Sequence, residues 1–144
     1  AWKTIKLADV PDRYTSGLIE VALKEYVSDK TNWQRMLKDE RNEEVDLLES
    51  KDELIEYLPE ELQDFISDDD DVCEINYPVN EYPVKVKSMN FDKTPDVGGV
   101  LVGIRGQYLI FEGGLVINLR RFTGYNIELT IVDAPAKAGQ QSLF

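Results

Sequence analysis

The chain contains no histidine. That absence removes Ser-His-Asp and Cys-His catalysis, His-ligated zinc and the two-His iron site from consideration. Cysteine is nearly as scarce: Cys73 is the only one, so no disulfide can form within the chain and no Cys-x-x-Cys metal site exists, a usage that suits a reducing cytosol. No apolar run approaches the roughly 20 residues that a membrane helix needs, and no charged-then-apolar leader precedes the first expected strand. A cytoplasmic protein with no membrane contact is therefore expected. Positive charge is the other shortage, with 16 Lys plus Arg against 28 Asp plus Glu and a formal net charge of −12. The first residue is Ala1 and not an initiator Met, so the chain reads as a fragment, and any site shared with an upstream segment would be incomplete. What remains is ordinary for a globular protein: 144 residues, 42% hydrophobic and 10% aromatic. That length suffices for one domain or two small ones without crosslinks.

Charge divides the chain more sharply than length does. Residues 1–82 carry 9 basic and 23 acidic side chains, whereas residues 83–125 carry 6 basic and 3 acidic. Alternation over residues 2–10 reads as one short strand. Over residues 12–27 the apolar side chains recur at three- and four-residue spacing, wide enough around the axis for a substantially buried helix. Thr31-Asn-Trp-Gln34 and Ser50-Lys-Asp-Glu53 have the capping-box form and predict helices through Lys38 and over residues 51–58. Pro59, tolerated at a first helical position, starts another to about Ile66. Beyond Val72 the period changes to two. Cys73, Ile75 and Tyr77, then Val84 and Val86, then Val100, Val102 and Ile104 mark strands. Gly113-Gly114 supplies a hairpin turn in which both positions need positive φ. Ile127, Leu129 and Ile131 form the last strand. These patterns predict an α+β fold: an N-terminal strand and helices over residues 1–71, then a small antiparallel β-barrel-like domain over 72–133. Residues 134–144 form a Pro/Ala/Gly tether and tail.

Candidate chemistry begins with Glu20 and Asn32. A site that cleaves phosphodiesters needs a hard oxygen ligand holding a divalent cation against a phosphate oxygen, and a carboxylate on a helix supplies one. The bland alternative is a solvent-exposed Glu20–Lys24 helix pair, with Asn32 in the first turn after a Thr31 cap. The stretches Gly17-Leu-Ile-Glu-Val-Ala-Leu-Lys24, Asp29-Lys-Thr-Asn-Trp33, Gly103-Ile-Arg-Gly-Gln-Tyr-Leu-Ile-Phe111 and Val116-Ile-Asn118 resemble the bacterial family catalogued as domain of unknown function 2797. The resemblance runs from Ile5 to Ile131. The central part of that family is in turn similar to GIY-YIG nucleases. The resemblance implies Glu20 at a metal position for Mg²⁺ or Mn²⁺, and Asn32 as the supporting catalytic residue. It also implies that the Tyr-bearing strands, the phosphate-binding Arg and a cysteine-rich segment lie upstream of Ala1. This chain should therefore cut nothing on its own.

Three further features carry a possible function. The tail Gln140-Gln-Ser-Leu-Phe144 resembles the pentapeptide by which bacterial replication and repair proteins bind the DNA sliding clamp. Leu143 and Phe144 would fill an apolar groove, Gln140 would orient the peptide and Ser142 would occupy the small central position. Lys85, Lys87, Arg105, Arg120 and Arg121, interleaved with Tyr82, Tyr108 and Tyr125, could contact nucleic acid, although alternating Lys is more often the wet face of a strand and the net charge repels a polyanion. The run Asp68–Asp71 lacks the Gly and Glu of an EF-hand loop and reads as a hydrated linker. Cys73 reads as buried filler. Two functions remain open: the C-terminal part of a GIY-YIG-like protein of nucleic-acid metabolism, or a non-catalytic protein-interaction module.

Overall fold

The computed structural model describes residues 1–28 and 30–132. It is α+β, and the chain divides into two compact units, Ala1–Tyr77 and a second beginning at Pro78. The division thus falls after the strand at Val72 and not before it.

The first unit runs β1 (Lys3–Ile5), α1 (Arg13–Leu23), α2 (Trp33–Leu37), α3 (Leu47–Glu56), α4 (Glu60–Gln63) and β2 (Val72–Glu74). Asp12 starts α1, its carboxylate accepting from the Thr15 N–H at 2.7 Å and from the Thr15 hydroxyl at 2.9 Å. α3 starts four residues earlier than the Ser50 box suggests. Asp46 is the cap, accepting from Leu48 N–H and Glu49 N–H, and Ser50 lies inside the helix, donating its hydroxyl to the Asp46 carbonyl at 2.6 Å. The apolar stripes of α1, α3 and α4 meet in one core of Ile19, Leu23, Leu58 and Leu62, flanked by Leu54 and Phe65. β1 and β2 pair antiparallel with Thr4 opposite Cys73. That two-stranded ribbon leaves Cys73 exposed, which corrects its reading as buried filler.

The acidic run is not a free linker. Lys51, only 3% exposed, donates its ammonium to the Ser67 carbonyl at 2.7 Å, the Asp69 carbonyl at 3.1 Å and the Asp70 carboxylate at 2.7 Å. One buried cation so fastens the segment leading into β2 onto α3, with all three of its donors satisfied.

The second unit holds β3 (Lys87–Ser88), β4 (Leu101–Arg105), β5 (Tyr108–Phe111) and β6 (Leu115–Asn118) in the spatial order β3-β6-β5-β4. β4, β5 and β6 form an antiparallel meander, but β3 joins β6 in parallel. The sheet is therefore mixed and open, and no closed barrel is present among the described residues. The β5–β6 connection is three residues, Glu112–Gly114, with φ of +78° at Gly113 and +84° at Gly114. A second core of Met89, Ile117 and Phe122 packs with Phe91, Leu109 and Phe111 on one face. Residues 125–132 form no strand, although their alternation predicts one.

Candidate functional site

α1 carries apolar side chains around most of its circumference, but it is not buried all round. Ile19 and Leu23 face the core, whereas Tyr14 and Val21 are 74% and 70% exposed. Beside this helix lies an open groove of about 620 Å³ whose apolar wall includes Leu7, Val10, Val21 and Val27. The wide stripe by itself predicts burial. The same composition equally marks a helix with one face on its own core and another left uncovered. Near its C-terminal end, Tyr26 stacks on Tyr57 of the α3 cap with centroids 3.9 Å apart.

Glu20 and Lys24 both line the groove. Glu20 is exposed and forms no ion pair with Lys24 or with any other described residue, so the surface-pair reading does not hold. Asn32 is itself the N-cap of α2, in place of Thr31: its Oδ1 accepts the Arg35 N–H at 3.2 Å. The cap commits that oxygen to the backbone.

As a metal centre the site is short of ligands. Among the described residues no three His, Cys, Asp or Glu side chains come together as a metal-holding group, and Glu20 is the one acid lining the groove. A hard divalent cation needs about six oxygens, of which a single exposed carboxylate provides one or two. These residues do not fit Mg²⁺ or Mn²⁺ by themselves. The acidic run forms no such cluster either.

The basic set divides. Lys85, Lys87, Arg120 and Arg121 are exposed. Arg105 is not available to a phosphate: it is 3% exposed, with its guanidinium 5.3 Å from the centroid of the Tyr82 ring. After a register shift between Leu101 and Gly103, Arg105 stands opposite Tyr108 and shares its buried face, while Ile104, opposite Leu109, is 42% exposed. Tyr108 is buried as well, its hydroxyl accepting from the Asn118 amide at 3.2 Å, so it offers no face for stacking on a base. The clamp-like residues Gln140, Ser142, Leu143 and Phe144 lie outside the described residues.

The fold and its groove define an α+β protein of two small units, the first bearing a single carboxylate in a helix-lined apolar groove. The chain belongs to the family described as protein of unknown function (DUF2797), whose profile matches residues 1–127. No curated protein and no solved structure gives a match.

Proposed function

We propose that the chain is a binding part of a GIY-YIG-like bacterial protein of nucleic-acid metabolism, cytoplasmic, with no cleavage activity of its own. The observation that carries this reading is the groove along α1, where Val21 and Val27 are exposed beside Glu20, a carboxylate in no ion pair among the described residues. Such a surface gains most by receiving an apolar segment that also brings a cation or further ligands to Glu20. The tail residues Gln140, Ser142, Leu143 and Phe144 would recruit the chain to the sliding clamp. The test pairs two assays on the 144-residue chain with Mg²⁺ or Mn²⁺. It should leave branched and single-stranded DNA intact, and a peptide of its last ten residues should bind the clamp saturably. Cleavage abolished by Glu20→Gln would overturn the non-catalytic reading. No saturable peptide binding at high micromolar concentration would end the clamp role.

A second reading is that in a longer protein Glu20 would hold Mg²⁺ or Mn²⁺ together with ligands from another segment. It is favoured because no ion pair occupies this carboxylate among the described residues. Glu20→Gln in that longer protein should then abolish cleavage while leaving the fold unchanged. Unaltered cleavage would leave the plain interaction module.

A further inference from the structure

Residues 126–132 present a contradiction between pattern and placement. Ile127, Leu129 and Ile131 alternate with Asn126, Glu128 and Thr130, the pattern of a strand with one apolar face. Yet Ile127, Leu129 and Ile131 are 52%, 80% and 86% exposed, and the segment makes no backbone hydrogen bond among the described residues. A segment with the alternation of a strand and a bare backbone can add to the edge of a sheet in another chain.

The sheet edges decide which partner fits. The outer edge of β4 is already taken by the chain entering the unit: Val79 bridges Gly103, Asn80 N–H donates to the Val102 carbonyl at 2.8 Å, and Ile104 N–H donates to the Pro78 carbonyl at 2.9 Å. β2 follows the acidic run and ends at Glu74, so Glu128 would meet like charge there. On β1 the cations are engaged, Lys3 with Glu74, and beyond the strand Lys6 with Asp9 and Asp69. The outer edge of β3 is different. Lys87 in the strand and Lys85 in the bend just before it are exposed and in no ion pair among the described residues, and the neighbouring Val84 is 86% exposed.

We propose that residues 127–131 add as a strand to the outer edge of β3 in a second copy of this chain. In that pairing Glu128 meets Lys87 on the edge of β3 and Lys85 in the bend that precedes it, and Ile127, Leu129 and Ile131 gain apolar neighbours in Val84 and Val86. Each copy holds one donor segment and one acceptor edge, so two copies related by a two-fold axis satisfy each other.

Sedimentation of the full chain from about 1 to about 500 µM tests this. A dimer is expected. Leu129→Asp and Ile131→Asp should each weaken self-association by about tenfold or more, with an unchanged far-UV spectrum because both side chains are exposed in the single copy. Glu128→Lys should weaken it, as should Lys85→Glu with Lys87→Glu, and the three substitutions combined in one chain should restore it. Hydrogen exchange should show residues 127–131 protected only in the dimer. A monomer throughout the range, a dimer indifferent to Leu129→Asp, or protection of 127–131 in a monomer would each overturn the pairing.

Discussion

The Lys51 ammonium closes three hydrogen bonds in a nearly water-free position. Lys51→Met keeps the apolar stem but strands the Ser67 and Asp69 carbonyls. The expected loss is about 3 kcal/mol, measured by urea denaturation. Asp12 makes a subtler contribution. The Thr15 N–H, and after it the Thr15 hydroxyl, hold its carboxyl below the usual carboxylate range. A depressed folded value means that the cap stabilises at neutral pH and that its contribution fades as pH falls through that value. Asn caps as well and does not titrate. Asp12→Asn should therefore leave stability at pH 7 nearly unchanged and reduce the loss on acidification. It should not remove that loss, because Asp9, held low by the Ser67 hydroxyl and by Lys6, has the same sign. Denaturation midpoints followed from pH 7 to acid decide it; a variant as acid-sensitive as the parent would refute the assignment.

The elements that pair neighbours in sequence depend on their turns. Gly114 has a φ of +84° and a Cβ there would stand 1.9 Å from the Lys85 carbonyl oxygen, whereas Gly113, at +78°, faces open space. Gly113→Ala should cost about 1 kcal/mol from backbone strain alone. Gly114→Ala should cost about 3 kcal/mol or more, because the Lys85 backbone must move as well. Equal losses in thermal melts would contradict the close approach. This hairpin was legible in Gly113-Gly114, and α1 in its three-and-four spacing, because both signals are local. Caps were misplaced by residues that compete for one role: Asn32 displaced Thr31, and Asp46 displaced Ser50. The burial of Arg105 was invisible, since the irregularity between Leu101 and Gly103 changes the face on which the following residues lie without altering their order. The parallel entry of β3 was equally hidden, since alternation fixes the faces of a strand and says nothing of its direction or partner. For the candidate site, the sequence marked Glu20 as exposed and helical. That α1 would keep an uncovered apolar face depended on which neighbours the tertiary fold supplied.

Across the whole molecule, charge sets what the exposed cations can do. The excess of acid, −12 in all and concentrated before residue 83, opposes the approach of a polyanion. With Arg105 and Tyr108 buried, the second unit offers Lys85, Lys87, Arg120 and Arg121 as its exposed phosphate contacts from the basic set. Non-specific binding through a few such contacts at physiological salt falls near the weak end of its usual range, a Kd of about 100 µM or above. Fluorescence anisotropy with a single-stranded oligonucleotide should therefore register little binding at 150 mM salt (about physiological). It should register more as salt is lowered, and equally little dependence on Arg105→Gln once folding is accounted for. Lys85 and Lys87 would also be committed to Glu128 of a second copy, so Glu128→Lys, which frees them and adds positive charge, should strengthen the low-salt binding. Tight binding at physiological salt, lost on Arg120→Glu with Arg121→Glu, would instead place a nucleic-acid surface on the second unit in spite of the net charge.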